Sequence, residues 1–145
     1  MPRRESSAEW EGTLKEGKGV VRVGRGSYEG RYSYVSRFED GNGTNPEELI
    51  GAAHAGCYSM ALSMALEQAG YRPEHIFTRA EVQLDTSGSA PSISGIMLET
   101  SVSANGIDED AFQQIAEQAK KECPVSRALQ AVPIELRAEL AVPSR

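Results

Sequence analysis

Asn45-Pro46-Glu47-Glu48-Leu49-Ile50-Gly51-Ala52-Ala53-His54-Ala55-Gly56-Cys57-Tyr58-Ser59-Met60-Ala61-Leu62-Ser63-Met64-Ala65-Leu66-Glu67-Gln68-Ala69-Gly70 is the stretch on which the fold turns. Asn45 suits an N-cap, Pro46 the first helical position, and Glu48 falls at N3 for a capping-box-like start. Gly70 is a natural C′ stop, with Pro73 just beyond it. A helix over this span is ~36 Å long at a rise of 1.5 Å per residue. From Leu49 to Leu66 it is apolar or small on nearly every side, so it is either enclosed in a core or spans a membrane. His54, Tyr58, Ser59 and Ser63 interrupt an apolar run of about 18 residues that only marginally meets the length needed to span. The spacing therefore predicts a core helix. In a chain of 145 residues, covering it on every side calls for a partner subunit.

The chain before this helix reads as three short strands, Ser7–Gly12, Gly19–Arg25 and Ser27–Val35, separated by glycine-containing turns. Beyond it, Ala80, Val82 and Leu84 alternate with polar residues, as do Ile96, Leu98, Thr100, Val102 and Ala104. Ser87-Gly88-Ser89-Ala90-Pro91 lies between them as a turn. Asp108 caps a second helix carrying Phe112, Ile115, Ala116 and Ala119. That helix ends at Cys123, because Pro124 disfavours helical geometry in the residue before it. Val125–Gln130 reads as a short extra turn, and Ile134, Leu136, Ala138 and Leu140 alternate into a last strand. The order βββ-α-ββ-α-β predicts one α+β domain, residues 1–145, with antiparallel pairing.

Twenty-one acidic against 15 basic side chains leave a formal charge of −6, which opposes a role in neutralising a nucleic-acid backbone. Met1-Pro2-Arg3-Arg4-Glu5 has no apolar run after its arginines, so no secretory signal is read and a cytoplasmic location is expected. In a reducing compartment two cysteines, Cys57 and Cys123, do not make a permanent structural framework. With His54 and His75 they could in number form a zinc site, but no C-x-x-C or H-x-x-x-H spacing supports it.

Cys57 falls in the middle of the apolar helix. Burial raises a thiol's pKa and leaves it inert unless a cation is near, and the helix N-terminus is too far away to help. Either Cys57 is a core thiol or another segment brings it a positive group. His54, one turn earlier, is either a Cys–His partner or a hydrogen-bonded core residue. Arg127 lies four residues past Cys123, and Arg31 alternates outward in the third strand. Arg37 stands in Ser36-Arg37-Phe38-Glu39, in the loop feeding the helix, where it can form a bidentate fork with Glu47. Glu47 also suits the first-turn dipole by itself. Cys123, at a helix end before proline, is either a resolving thiol or a half-buried terminal cysteine.

Ser36-Arg37-Phe38-Glu39 together with the run Gly43-Thr44-Asn45-Pro46-Glu47 through Cys57-Tyr58-Ser59-Met60-Ala61-Leu62-Ser63 resembles the OsmC branch of the OsmC/Ohr family. So do Lys121-Glu122-Cys123-Pro124-Val125-Ser126 and the opening Ala8-Glu9-Trp10-Glu11-Gly12. The resemblance implies an intertwined α+β homodimer with antiparallel sheets wrapped around two central helices. It also implies a thiol peroxidase with no metal, haem or flavin, acting on organic hydroperoxides and less well on hydrogen peroxide. By it Cys57 is peroxidatic, Cys123 resolving, and Arg37 with Glu47 the activating pair. A dithiol donor of lipoyl or thioredoxin type then regenerates the enzyme, with no nucleic acid or membrane involved. The alternatives are a non-enzymatic stress or binding protein with inert cysteines, and a hydrolase built on Cys57 and His54.

Overall fold

The computed structural model describes residues 1–141, and the chain divides into two units, Met1–Leu49 and the remainder from Ile50 onward. In the first unit β1 (Ser6–Glu11), β2 (Lys18–Val23) and β3 (Tyr28–Tyr32) form an antiparallel meander in the order β1-β2-β3. Gly19 is in register with Trp10 on one side and Tyr32 on the other. The two rings lie 5.3 Å apart between centroids. A Cβ at Gly19 would come within 2.5 Å of the Tyr32 ring and 2.7 Å of the Trp10 ring, so only glycine leaves room for the aromatic pair.

The third strand ends earlier than expected. Tyr34–Phe38 is a short helix, α1, where the sequence predicts strand as far as Val35 and a loop at Arg37. The cause is a reciprocal cap: the Ser36 N–H donates to Ser33 Oγ at 3.2 Å, and the Ser33 N–H donates to Ser36 Oγ at 2.8 Å. Serine hydroxyls that satisfy the first free amides of a turn compete directly with strand pairing.

The long helix α2 (Pro46–Gln68) begins at the end of the first unit and lends most of its length to the second. Its boundaries follow the local chemistry. Asn45 Oδ1 accepts the Glu48 N–H at 2.8 Å, and Gly70 takes φ 91° past the last turn. The Glu48 carboxylate accepts instead from the Thr44 hydroxyl at 3.0 Å, so the cap rests on Asn45.

In the second unit β4 (Pro73–Asp85) and β5 (Ser92–Ala104) form a long antiparallel hairpin. There follow α3 (Glu109–Glu122), α4 (Pro124–Ala128) and β6 (Ile134–Leu140). The sheet order is β4-β5-β6, and β6 runs parallel to β5, against the antiparallel pairing expected throughout. The reason is the connection: α3 and α4 carry the chain back before β6 begins, which is the crossover that parallel neighbours require. Asp108 caps α3 as expected, its Oδ1 accepting the Ala111 N–H at 2.7 Å.

His54, Tyr58, Leu62 and Leu66 recur every fourth residue of α2 and are all fully buried. The apolar members of this stripe share a core with Ile96, Leu98, Val102 and Ala104 of β5, and with Phe112, Ala116 and Ala119 of α3. Each large side chain enclosed there contributes about 1.5–3 kcal/mol relative to exposure. Tyr58 donates its hydroxyl to the Ala116 carbonyl at 3.0 Å. Burial, and then the charges of Glu117 and Cys123, push its phenol up, so it stays protonated as a donor. The opposite flank of α2 exposes Ala52, Ala53, Gly56, Met60 and Met64. By length and hydropathy α2 would also suffice to cross a membrane, but its buried stripe is already committed to this core.

Candidate active site

Arg37, in the last turn of α1, reaches Glu47 in the first turn of α2. Arg37 Nε donates to Glu47 Oε1 at 3.0 Å and a terminal guanidinium nitrogen donates to Oε2 at 3.2 Å, a bidentate fork. The loop between the two helices is folded by its own hydrogen bonds. Ser36 Oγ donates to the Thr44 carbonyl at 2.7 Å, Asn45 Nδ2 to the Ser36 carbonyl at 2.9 Å, and the Thr44 N–H to Arg31 O at 2.8 Å. Gly43, at φ 109°, permits the reversal. The Glu47 side chain is 9% exposed and that of Arg37 36%, so an enclosed carboxylate fixes the direction of a more accessible guanidinium.

The second unit brings together the two cysteines, 66 residues apart in sequence. Cys123 terminates α3 with its N–H on the Ala119 carbonyl at 2.9 Å, then adopts φ −57°, ψ 122° ahead of Pro124. That extended geometry is what a following proline imposes, and it turns the chain from α3 into α4. The two free thiols share a hydrogen bond, with Cys123 Sγ 2.9 Å from Cys57 Sγ. Cys123 is fully buried and Cys57 half-buried.

The two sulfurs titrate as a pair and are not equivalent. Burial pushes the Cys57 thiol up, and the bond and charge shared with Cys123 push it further, against a smaller opposing effect of the Val125 N–H. Burial pushes Cys123 up as well. The hydrogen bonds of Cys57, of the Ser126 N–H and hydroxyl, and of the Val125 N–H outweigh it and leave Cys123 below its ordinary value. Inside this unit, then, the proton favours Cys57.

His54 Nε2 lies 2.7 Å from Ser126 Oγ, and its Nδ1 is buried without a hydrogen-bond partner. Burial lowers its pKa, so the ring is neutral. Of its two sequence readings, the hydrogen-bonded core histidine is the one observed; a Cys57–His54 hydrolase pair is not formed. Arg31 and Arg127 are exposed, and the contact of Arg127 with Cys123 is through backbone, its N–H on the Cys123 carbonyl at 3.0 Å. The predicted residues thus meet in two couples, Arg37 with Glu47 and Cys57 with Cys123. Sequence reasoning missed the environment of Cys123, above all Ser126. The signal was a hydroxyl three residues after a cysteine whose next residue is proline at the start of a short helix.

The OsmC-like protein family model matches residues 39–137. Peroxiredoxin OsmC of Escherichia coli is 46% identical over 129 residues, which cover 88% of this chain and 90% of that protein. The organic hydroperoxide resistance protein of Xanthomonas axonopodis is 32% identical over 91 residues, 61% of each chain. The crystal structure of an organic hydroperoxide resistance protein OsmC from Legionella pneumophila superposes with a TM-score of 0.70 at 20% identity. It covers 95% of this chain and 97% of that one, a likeness of fold. This chain belongs to the OsmC-like protein family.

Proposed function

We propose that this protein is a cysteine-based peroxidase that reduces organic hydroperoxides, and less well hydrogen peroxide, to alcohol or water. The observation that carries this is the meeting of two free thiols at 2.9 Å from distant parts of the chain. It is joined by relatives named for peroxiredoxin and hydroperoxide-resistance activity.

In this reading Cys57 is the peroxidatic residue. Its thiolate attacks one oxygen of the hydroperoxide; the O–O bond breaks with its electron pair leaving on the alkoxide, which takes up a proton. Cys57 becomes a sulfenic acid, and Cys123 condenses with it to a disulfide with loss of water, ahead of irreversible overoxidation. A dithiol of lipoyl or thioredoxin type restores both thiols. Because the neighbours of Cys57 in its own unit keep the proton on it, the first step needs a cation. Arg37, directed by Glu47, is the group we assign to supply it and to stabilise the departing alkoxide. An apolar wall beside the sulfur would reward an alkyl tail by ~0.8 kcal/mol per buried CH₂, the physical basis of the proposed preference for organic peroxides. A second copy of the chain, covering the Met60 and Met64 flank of α2, makes the working unit a homodimer in the cytoplasm, with no membrane or nucleic-acid partner.

Thiol counting tests the reading. After one equivalent of cumene hydroperoxide, two thiols should disappear and return on addition of a dithiol. A chain that keeps both thiols is a binding or structural protein with inert cysteines.

A further inference from the structure

Two buried polar side chains with no part in the first step converge on the second sulfur. Ser126 is 5% exposed and His54 fully buried, so their 2.7 Å contact forms away from water. Ser126 stands in the first turn of α4, three residues past Cys123, and its N–H and hydroxyl both act to hold the Cys123 thiol below its ordinary value. His54, Ser126, Cys123 and Cys57 therefore form one cluster behind the reacting sulfur, with contacts of 2.7 Å between His54 and Ser126 and 2.9 Å between the two sulfurs.

The unpartnered Nδ1 decides which way the His54–Ser126 hydrogen bond runs. A neutral imidazole carries one N–H. With the proton on Nδ1, a buried donor would be orphaned, which folded proteins rarely tolerate; with the proton on Nε2, only a lone pair goes unused. The Nε2–H tautomer donates to Ser126 Oγ and thereby turns the Ser126 hydroxyl proton toward Cys123. A hydroxyl held in that direction stabilises a thiolate and offers nothing comparable to a neutral thiol.

We infer that His54 and Ser126 are positioning residues for the resolving half-reaction: they orient a hydroxyl donor onto Cys123 so that it meets oxidised Cys57 as a thiolate. The inference rests on the peroxidase reading above. The Cys123 thiolate attacks the sulfenic sulfur of Cys57, and the S–O bond breaks with its electron pair leaving as hydroxide. The proton given up by Cys123 converts that hydroxide to water. One sulfenic acid and one thiol become one disulfide and one water, with no outside oxidant or reductant. The dyad acts where speed matters, because a sulfenic acid left waiting is exposed to a second peroxide.

The test separates the two half-reactions by stopped flow with limiting cumene hydroperoxide. It follows peroxide consumption and disulfide closure as successive phases and compares their rate ratio. In Ser126→Ala the ratio of closure to consumption should fall about tenfold or more, the effect of losing one hydrogen bond to a charged group. Mass spectrometry should then find sulfinic Cys57. Ser126→Thr, which keeps a hydroxyl, should restore most of the ratio. His54→Gln, which keeps an amide N–H near the Nε2 position, should retain more of it than His54→Leu. Should His54→Leu not fold, the Ser126 pair alone is decisive. Two normal phases in the wild type with an unchanged ratio in Ser126→Ala overturn the dyad and leave the peroxidase reading intact. No thiol oxidation in the wild type overturns both.

Discussion

The guanidinium of Arg37 is gripped by both carboxylate oxygens of Glu47, at 3.0 and 3.2 Å, across a loop that the chain ties down with Ser36, Thr44 and Asn45. A fork of this kind contributes more direction than stability, because the arginine is partly solvated. Under the proposed activating role of Arg37, Arg37→Ala should raise the pKa of Cys57 and slow peroxide consumption by about 10²-fold or more, the loss typical of one charge-stabilising donor. Arg37→Lys keeps the charge without the fork and should recover only part of the rate. The check is a thiolate titration by ultraviolet absorbance; a Cys57 titration indifferent to Arg37→Ala removes the assignment.

The short approach of the two sulfurs predicts different fates for their single variants. Cys57→Ser should abolish peroxide turnover. Cys123→Ser should permit one oxidation, then accumulate sulfinic and sulfonic acid at Cys57 under excess peroxide, read by intact mass. Recycling of Cys123→Ser by the same dithiol at the wild-type rate would show that Cys123 resolves nothing.

Gly19 should tolerate no side chain. Gly19→Ala forces a methyl into the space of the Trp10 and Tyr32 rings, and overpacking of this kind costs typically about 1–3 kcal/mol. Trp10 is the sole tryptophan, so its fluorescence reports the Met1–Leu49 sheet directly in a denaturant titration. An unshifted midpoint would mean that the rings part freely.

Stability should fall on mild acidification through His54. Its folded pKa lies below its ordinary value of 6.5, so below that pH the unfolded chain binds a proton that the folded chain does not. The contribution of His54 is fully present above about pH 6.5 and is lost as pH falls from there through the folded value. Denaturant midpoints for wild type and His54→Gln, compared between pH 8 and pH 5, isolate this term. The variant should be flatter over that window, and parallel curves would contradict the buried neutral imidazole.

What the amino-acid order determined by itself was local. Asn45, Pro46 and Gly70 bound α2 because caps and stops act within one turn, and the alternation in β4, β5 and β6 is legible because a pleat repeats every second residue. Helix α1 escaped because five residues are too few for a helical period, and a pair of serine hydroxyls, not apolar spacing, makes it. The direction of β6 escaped because alternation reads the same in parallel and antiparallel strands; only the passage through α3 and α4 chooses. The chemistry divides along the same line. Cys57 and Cys123 were visible as candidates from their settings, but their contact, the lower pKa of Cys123 and the His54–Ser126 couple depend on groups many residues apart. Hydrogen bonds and desolvation are properties of distances in space, and across 66 residues the fold alone brings those sulfurs into contact.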